Sequence, residues 1–384
     1  MIFFFSNLKR IVYSIIEITG SVIYAFFRFM RLASQVSHFD KSGVKSILII
    51  RLDRIGDLVL STPTFRAIRK HLPKAKIVLL VSLYTKDIVK GNPDIDEVIT
   101  IDKKIGFVKK LRLIKKIRDK RFDLSIALSY CVLSIMTTFL SGSRFRVGID
   151  NYGLGFLFTS KISYIQKDSG NRHEVEATLD VVRTIGIDTK NKALYVPINK
   201  KGEFFAETFF KNNNISTADF IVAIHPGARV EYKRWAPEGF AEVADYLINK
   251  YNAKIIITGS AEEIILSHKI ESLMHNKPII TTGSLNLVKI FSILKRCHLF
   301  IGNGTGPLHI AASLNVPTIA IFDCLDPIEK WFPWDNLHIA LYRGKRFFSN
   351  TPKCRALYWK ELLATSDVIN AIDAIINKLN LEKV

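Results

Sequence analysis

The sequence predicts an α/β protein with two domains, each built on a parallel β-sheet with helices on both faces. Short apolar runs rich in Ile, Leu and Val alternate along the chain with longer helical patterns, as expected of strands that are buried on both faces. The alternation forms two series, separated by a polar stretch with a proline at 195–203. A chain of 384 residues is long enough for two domains with separate cores. We therefore expect domains at 45–200 and 215–350, with added segments at 1–40 and 351–384.

Residues 1–40 predict an amphipathic helix that precedes the first domain. Polar residues recur every three or four positions between Arg10 and Arg31, and apolar residues fill the positions between them. A cleaved signal peptide is not expected, because no basic region precedes the apolar run. In a membrane-spanning helix Glu17 would lie near the centre, where a charge costs roughly 2.5–3.5 kcal/mol on insertion scales. We therefore predict a helix lying on a membrane surface; a helix packed on protein, and a true span, are the alternatives.

The first domain begins with a buried strand followed by a loop with two carboxylates. This loop, RLDRIGD, contains Asp53 and Asp57, and Asp57 begins the next helix. An aspartate at this position is explained by capping and by the helix dipole. Facing a phosphate-binding domain, Asp57 is also well placed as a general base toward an acceptor hydroxyl, with Asp53 as the competing carboxylate. The predicted strands of this domain are Ile47–Ile50, Ala75–Ser82, Asp96–Asp102 and Phe122–Leu128.

A strongly basic segment lies between the third and fourth predicted strands. It holds ten Lys or Arg residues between Lys103 and Arg121. Apolar residues interleave with them at helical spacing: Phe107, Leu111, Ile114 and Ile117. Such a helix is typical of binding to a membrane surface or an anionic ligand, and a solvated cationic face over a core stripe is the alternative. The net charge of +20 and the pI of about 9.7 favour a polyanionic partner, but the sequence contains no named nucleic-acid-binding motif.

The second domain repeats the alternation, and three of its strands end in loops rich in small or charged residues. These loops are HPGARVEYKRW, TGSAEE and GNGTGPLH. Ligands of open α/β sheets bind outside the carboxyl ends of the strands, so these loops are the expected binding site. A final helix is expected at about Ser366–Lys378.

The loop GNGTGPLH leads directly from a strand into a helix. Its small residues let backbone N–H groups approach a phosphate at the N-terminus of that helix. Thr305 is expected to cap the helix or to donate to a phosphate oxygen, and His309 lies one turn further on, within reach of the same group. A tight strand–helix turn with a structural histidine is the alternative. The loop does not match the dinucleotide fingerprint G-x-G-x-x-G.

The other two loops carry charges that suit a nucleotide. Lys233 is expected to neutralise charge on a departing nucleotide diphosphate, and a solvated surface lysine is the alternative. Glu263, beside Glu262, is expected to hold ribose hydroxyls or, equally, to be part of an acidic first helical turn.

Six stretches of the chain together carry a family resemblance. In order between about Lys45 and Phe322 they are RLDRIGDLVLSTPTFRAIRKHLP, SRFRVGID, HEVEATLDVVRTIGI, HPGARVEYKRWAPEGFAEV, IIITGSAEE and GNGTGPLHIAASLNVPTIAIF. The chain resembles glycosyltransferase family 9, the heptosyltransferase family of lipopolysaccharide core assembly. The resemblance implies a GT-B architecture of two Rossmann-like domains around a cleft. It also implies transfer of a sugar with inversion from a nucleotide-activated donor, usually ADP-heptose, without a bound metal.

Matched residue by residue, the resemblance implies that Asp57 is the base, that Lys233 lies near the donor phosphates and that Glu263 lies near the ribose. It assigns the phosphate-binding turn to Thr305, Gly306 and His309. Many members of the family have an aspartate immediately before the threonine or serine of that turn, whereas this chain has Gly304. A transferase that uses another nucleotide sugar for a surface polysaccharide, and a catalytically silent GT-B binding protein, are therefore the alternatives.

The resemblance also implies the partners. They are a nucleotide-sugar donor and a lipopolysaccharide-core or related phosphorylated glycolipid acceptor, with no cofactor, no metal and no nucleic acid. The predicted acceptor contacts are four cations: Lys109, Lys110, Arg144 and Arg146. With the N-terminal helix, they predict a peripheral protein at the cytoplasmic face of the bacterial inner membrane.

Overall fold

The computed structural model describes residues 39–163, 172–323, 327–334, 337–342 and 363–379. Apart from its last two residues, the predicted N-terminal helix at 1–40 lies outside the described residues. The chain divides into two compact units, Met1–Arg54 with Ser61–Lys192, and Ile55–Leu60 with Ala193–Val384. The short helix α1 (Ile55–Leu60) is therefore part of the second unit, although the sequence assigns it to the first domain.

Six parallel strands form the sheet of the first unit. They are β1 (Ser46–Arg51), β2 (Lys76–Ser82), β3 (Glu97–Ile101), β4 (Leu124–Ala127), β5 (Phe145–Asp150) and β6 (Ser160–Ser163), in the order β3-β2-β1-β4-β5-β6. The helices of this unit are α2 (Thr62–His71), α3 (Phe107–Asp119), α4 (Val132–Leu140) and α5 (Glu174–Arg183). The strand order reverses between β1 and β4, and the carboxyl ends of such a pair form the usual ligand crevice.

The second unit repeats this topology. Its strands are β7 (Ile221–His225), β8 (Lys254–Ile257), β9 (Ile279–Ile280), β10 (Leu299–Asn303), β11 (Thr318–Ile321) and β12 (His338–Leu341), in the order β12-β11-β10-β7-β8-β9. Besides α1 its helices are α6 (Lys200–Asn212), α7 (Pro237–Tyr251), α8 (Ile264–Leu273), α9 (Leu287–Leu294), α10 (Gly306–Ser313), α11 (Ile328–Trp331) and α12 (Thr365–Leu379). Here the order reverses between β7 and β10. The predicted α/β fold with two parallel sheets is confirmed.

The central strands of both sheets are apolar on both faces. Strand β1 is buried from Ile47 to Arg51, and β10 is buried along its whole length. Because helices cover both faces, side chains that point to either side of these strands are shielded from water. In the second unit α12 buries Val368, Ile372 and Ile376 in the same core cluster as β7 and α7.

Helix α3 is attached to its unit by fewer apolar residues than the sequence suggests. Ile117 is fully buried and Leu113 packs against the same core, but Phe107 is 73 % exposed and Leu111 is 45 % exposed. The face directed at the core comprises positions 110, 113, 114 and 117, which recur with helical spacing. The alternative of a core stripe therefore holds for Ile114 and Ile117 but not for Phe107 and Leu111, because the buried face is rotated away from the latter two residues.

Candidate functional site

The predicted donor-binding residues lie at the carboxyl edge of the second sheet, around the reversal of strand order. Strand β7 runs into the loop at 226–235, β8 into the loop at 258–263, and β10 into the turn at 303–306. Strands β7 and β8 are paired in parallel, and so are β7 and β10. The three loops therefore emerge from the same edge, as expected of a ligand site in an open α/β sheet.

The side chain of Asn303 ties two of these loops together. Its amide nitrogen Nδ2 donates to the carbonyl oxygen of Pro226 at 2.8 Å, and its oxygen Oδ1 accepts from the backbone N–H of Trp235 at 3.1 Å. Asn303 is fully buried, so both bonds are shielded from water and both groups would be costly to leave unpaired. One amide thus fixes the two ends of the loop that carries Lys233. Asn303 was not among the predicted site residues; its signal in the sequence is a polar residue at the end of an otherwise apolar strand.

The indole of Trp235 anchors the far end of the same loop. Trp235 is 2 % exposed, and its ring lies edge-on to Phe240 at a centroid distance of 5.0 Å. A β-carbon on Gly239 would lie 2.5 Å from this ring, so the glycine makes room for it. Lys233 ends a short 3₁₀ turn in this loop and is half-buried. Arg234, next to it, donates from Nε to the carbonyl oxygen of Ala228 at 2.8 Å.

The turn after β10 has the small side chains that the sequence predicts, but Thr305 does not cap the helix. Its hydroxyl donates to the carbonyl oxygen of Asn303 at 3.3 Å and makes no capping hydrogen bond to α10. Gly304 extends the strand, since its N–H donates to the carbonyl oxygen of Ile321 at 2.8 Å. A β-carbon on Gly304 would lie 2.5 Å from the ring of Phe322, which is 1 % exposed. Any larger residue at position 304 would therefore need this ring to move.

Helix α1 brings the predicted base to this turn. A β-carbon on Gly306 would lie 2.8 Å from Cβ of Ile55, and one on Gly56 would lie 2.6 Å from Cδ2 of His309. The two glycines thus allow α1 to pack closely against the start of α10. Asp57 follows Gly56 directly and is half-buried. The structure therefore brings the helix that carries Asp57 against the start of α10, where Gly306 and His309 lie, within the second unit.

Glu263 lies at the same edge and has a structural role there. Its oxygen Oε2 accepts from the backbone N–H of Ser260 at 2.7 Å and completes a capping box. Its other oxygen lies against Gly227, where an added β-carbon would be 1.9 Å from Oε1. Glu263 thus joins the loop after β8 to the loop after β7, and the acidic first turn that the sequence left open is present.

His225, at the end of β7, is a buried neutral base beside Glu263. Its Nδ1 lies 3.2 Å from the hydroxyl oxygen of Thr258. Burial lowers the pKa of His225 below its usual 6.5, while the negative charge of Glu263 acts in the opposite direction. Burial is the larger effect, so the imidazole is neutral near pH 7.

The first unit holds a buried charge cluster at the equivalent reversal of strand order. Arg51, at the end of β1, is fully buried, and its guanidinium pairs with Glu174 at 2.9 Å and with Asp53 at 3.1 Å. It also donates to the carbonyl oxygen of Leu128. Glu174, likewise fully buried, accepts from the hydroxyl of Tyr130 at 3.3 Å. Two of the motifs that carry the family resemblance, RLDRIGD and HEVEATLD, therefore meet in one ion pair that the sequence analysis did not identify.

The four predicted acceptor cations do not lie together. Lys109 and Lys110 are in the first turns of α3, which follows the carboxyl end of β3. Arg144 and Arg146 are instead at the amino end of β5. Arg146 donates to the carbonyl oxygens of Leu157 at 2.7 Å and Ser143 at 2.9 Å, so its guanidinium supports the local backbone. The structure thus separates the two pairs by the length of a strand.

Membrane spans and metal clusters are both absent from the described residues. None of the helices in the described part of the chain is both long enough and apolar enough to cross a membrane. Within the same residues, no group of three or more His, Cys, Asp or Glu side chains is arranged to hold a metal ion.

Comparison with known proteins gives consistent results. Residues 110–349, more than half of the chain, match the family model described as glycosyltransferase family 9 (heptosyltransferase). A curated protein from Escherichia coli, lipopolysaccharide heptosyltransferase 3, is 26 % identical over 335 residues, which are 84 % of this chain and 96 % of that protein.

Solved structures resemble the fold over most of its length. A glycosyl transferase family 9 protein from Veillonella parvula is similar with a TM-score of 0.79 and 24 % identity, covering 89 % of this chain and 99 % of that one. The E. coli heptosyltransferase WaaC with ADP is similar with a TM-score of 0.62 and 16 % identity, covering 82 % and 99 %. These likenesses confirm the GT-B fold implied by the sequence motifs.

Proposed function

We propose that this chain, which belongs to glycosyltransferase family 9 and is a glycosyltransferase, transfers heptose. In this proposal the donor is ADP-heptose and the transfer inverts the configuration at the anomeric carbon. The acceptor in this proposal is a lipopolysaccharide-core or related phosphorylated glycolipid. The observation that supports the proposal is the packing of α1, the helix that carries Asp57, on the start of α10 through Gly56 and Gly306. A base and a phosphate-binding turn are the two elements that such a transfer requires.

The donor assignment is supported by the loops and by the relatives. We assign the diphosphate to the backbone of residues 304–306 and to Lys233, and the ribose to Glu263. The relative from E. coli is named a heptosyltransferase, and WaaC was solved with ADP. Because one oxygen of Glu263 already caps its own helix, the ribose would share this carboxylate with the protein backbone.

In the proposed reaction Asp57 takes the proton from an acceptor hydroxyl. The hydroxyl oxygen attacks the anomeric carbon from the face opposite the nucleotide, forms the new glycosidic bond and displaces ADP. Lys233 and the N-terminus of α10 offset the negative charge that develops on the departing diphosphate. With these groups in place, we propose that the departure of ADP requires no bound metal.

The positive charge of the first unit supports our proposals for the acceptor and for the cellular location. Lys109 and Lys110 lie at the carboxyl edge of the first sheet, and we assign them to the anionic groups of the acceptor. We further propose that the protein works at the cytoplasmic face of the inner membrane, with residues 1–40 on the membrane surface.

Gly304 favours one alternative, a transferase of the same family with a different nucleotide sugar. The turn lacks the carboxylate that many family members place before the threonine, and the ring of Phe322 fills that space. A change at the phosphate-binding turn alters the groups that face the donor, so a UDP- or GDP-sugar is the second candidate. A catalytically silent binding protein of the same fold is the third.

Thermal unfolding with nucleotides tests the proposal. Wild type, Lys233→Ala and the exposed control Lys211→Ala would be melted with ADP, UDP, GDP, CDP and NAD. A ligand at a hundred times its dissociation constant stabilises a protein by about 2.7 kcal/mol, which shifts the melting temperature measurably. We expect stabilisation by ADP in wild type and in the control, but not in Lys233→Ala. The transfer of heptose from ADP-heptose to a lipopolysaccharide-core acceptor is then measured directly.

The outcomes separate the candidates. Preference for UDP or GDP would reject ADP-heptose and retain a family 9 transferase. Binding of ADP without hydrolysis or transfer of the sugar in any acceptor panel would favour the silent binding protein.

A further inference from the structure

Exposed apolar side chains gather at the carboxyl edge of the first sheet. Of the ten large apolar side chains that are exposed among the described residues, six follow β2, β3 or β4. We call these six the apolar edge: Leu83, Tyr84, Phe107, Val108, Leu111 and Val132. Because all strands of this sheet are parallel, the segments that follow them leave from one edge. Soluble proteins expose single apolar side chains commonly, but a concentration at one edge indicates a binding surface.

Helix α3 supplies half of this surface. Its first turns carry Phe107, Val108 and Leu111, with exposed fractions of 73, 60 and 45 %. The core holds the opposite face of the helix, mainly through Leu113 and Ile117. The apolar first turns therefore do not serve the packing of the helix.

Positive charge surrounds these apolar turns. Helix α3 contains six Lys or Arg residues and one acidic residue, and two further lysines, at 103 and 104, precede it. Val108, Leu111, Arg112 and Lys115 recur at positions i, i+3, i+4 and i+7, so apolar and cationic side chains share the outward face. An apolar patch continued by cations on one face is the pattern of helices that lie in the interface of an anionic bilayer.

A second segment of the edge is fixed by a hydrogen bond to the loop that follows β1. The hydroxyl of Tyr84 donates to the carbonyl oxygen of Asp53 at 2.9 Å, while its side chain stays 54 % exposed. Leu83 beside it is 47 % exposed. This short 3₁₀ helix, Leu83–Ile88, therefore presents its apolar start to solvent in a defined position.

We propose that the apolar edge and the outward face of α3 dock on an anionic lipid surface. Phe107, Val108 and Leu111 enter the boundary between head groups and acyl chains, and Arg112 and Lys115 contact lipid phosphates. The proposal rests on the proposed function in one respect, since a glycolipid acceptor would be embedded in that surface. Charge complementarity selects the partner: the helix is strongly cationic, and bacterial and other cytoplasmic leaflets carry anionic lipids.

The test uses the full chain and vesicles of phosphatidylcholine with or without phosphatidylglycerol. Binding is measured by co-sedimentation, and amide hydrogen exchange locates the protected segment, so that any binding through residues 1–40 is distinguished. We expect vesicles with phosphatidylglycerol to slow exchange over 103–116 and 83–88, and to leave exchange over 200–212 unchanged. Phe107→Ser with Leu111→Ser should abolish this protection and weaken binding by about tenfold or more, given the area of the two side chains.

A matched pair controls for exposed apolar residues in general. Phe204 and Ile265 are 72 and 85 % exposed but belong to helices of the second unit. Phe204→Ser with Ile265→Ser should bind the vesicles as wild type does. Arg112→Ser and Lys115→Ser should each weaken binding by about fivefold, as expected for the loss of one cation near an anionic surface. Added salt should reduce the difference in vesicle binding between wild type and these two cation variants.

Each outcome decides the proposal. Unchanged exchange over 103–116 on anionic vesicles, or equal binding of the two double variants, would overturn it. Loss of duplex DNA or RNA binding in Phe107→Ser with Leu111→Ser, without any vesicle binding by wild type, would overturn it in favour of a nucleic-acid surface. Heptose transfer to a detergent-solubilised lipopolysaccharide-core glycolipid is measured alongside: its absence in wild type would count against the proposed function while leaving lipid docking intact. Retention of this transfer activity in Phe107→Ser with Leu111→Ser would show that the substitutions leave the transfer site unaffected.

Discussion

The ring of Phe322 occupies the space that a β-carbon on Gly304 would need. The two residues lie at the ends of neighbouring strands, and such a β-carbon would be 2.5 Å from ring atoms of Phe322. The glycine that departs from the family motif therefore has a local structural reason. A side chain at position 304 would need the ring of Phe322 to move, so the absence of a carboxylate at 304 does not by itself indicate a damaged site.

This relationship predicts non-additive effects on stability. Gly304→Ala should destabilise the protein by about 1–3 kcal/mol, because it overpacks a buried ring. Phe322→Ala should cost about 3–5 kcal/mol through the cavity it leaves. In the double variant the alanine at 304 has space, so its own cost should largely disappear. Urea unfolding measures the three values; simple addition of the single costs would contradict the prediction. Gly106→Ala, with no atom within 4 Å of the new carbon, is the control.

Asp57 and Asp53 should differ in their effect on transfer. Asp57→Asn should retain ADP binding and lower transfer by about a hundredfold to ten-thousandfold, as expected for the loss of a general base. Asp53 pairs with the buried Arg51 at 3.1 Å, so Asp53→Asn should affect stability more than the chemical step. Single-turnover rates with ADP-heptose, together with nucleotide melting shifts, separate the two. Undiminished transfer by Asp57→Asn would remove it as the base.

The close packing of α1 on α10 should be sensitive to a single methyl group. Gly56→Ala places a carbon 2.6 Å from Cδ2 of His309 and should displace the segment that carries Asp57. We expect transfer to fall by about tenfold or more, because small displacements of catalytic groups are costly, while binding of ADP changes less. Equal transfer by Gly56→Ala and the control Gly106→Ala would show that this packing does not position Asp57.

The buried pair of Arg51 and Glu174 should contribute strongly to the stability of the first unit. Glu174→Gln leaves the guanidinium buried with less compensating charge, and we expect a loss of about 3–5 kcal/mol. The exposed pair of Lys269 and Glu238 is the control, since Glu238→Gln should cost less than about 1 kcal/mol. Urea unfolding monitors both; a small effect at Glu174 would indicate that Asp53 alone balances Arg51.

Stability should fall in mild acid because of His225. Its pKa in the folded protein is below the usual 6.5 because the ring is buried. Below pH 6.5 the unfolded chain therefore binds a proton that the folded protein does not, and stability decreases by up to about 1.4 kcal/mol per pH unit until the folded pKa is reached. His298, whose pKa is also lowered by burial, acts in the same direction. His225→Gln should flatten the dependence of stability on pH below about pH 6.5. A curve parallel to wild type would contradict this.

Hydrophobic pattern and loop position were sufficient to predict the sheets and the edge that carries the donor loops. Ile47–Ile50 and the strand before Gly304 are apolar runs bounded by turn residues, and such runs are strands of a parallel sheet. The hydrophobic pattern does not indicate which of the two cores a helix packs against. Helix α1 is short and apolar, and its contacts with α10, Gly56 with His309 and Ile55 with Gly306, show that it belongs to the second unit.

The other contacts that the sequence did not predict join residues that are distant in the chain. Asn303 bonds to groups 68 and 77 residues away, and Arg51 pairs with a glutamate 123 residues away, so no local window contains either bond. The core-facing residues of helix α3 differ from the stripe considered for another reason. Its apolar residues fit two overlapping faces, and periodicity alone does not decide between Leu111 and Leu113 as the one that meets the core.

The assignment of Ile55–Leu60 to the second unit means that no single cut separates the two halves of this protein. A fragment that starts at Ala193 would lack the helix against which Gly306 and His309 pack, and would expose that face of α10. Chimeras that exchange donor specificity between relatives should therefore carry two pieces of chain, residues 55–60 together with everything after residue 192. A substitution in α10 and one in α1 are therefore changes to one packing surface, although about 250 residues of chain lie between the two helices.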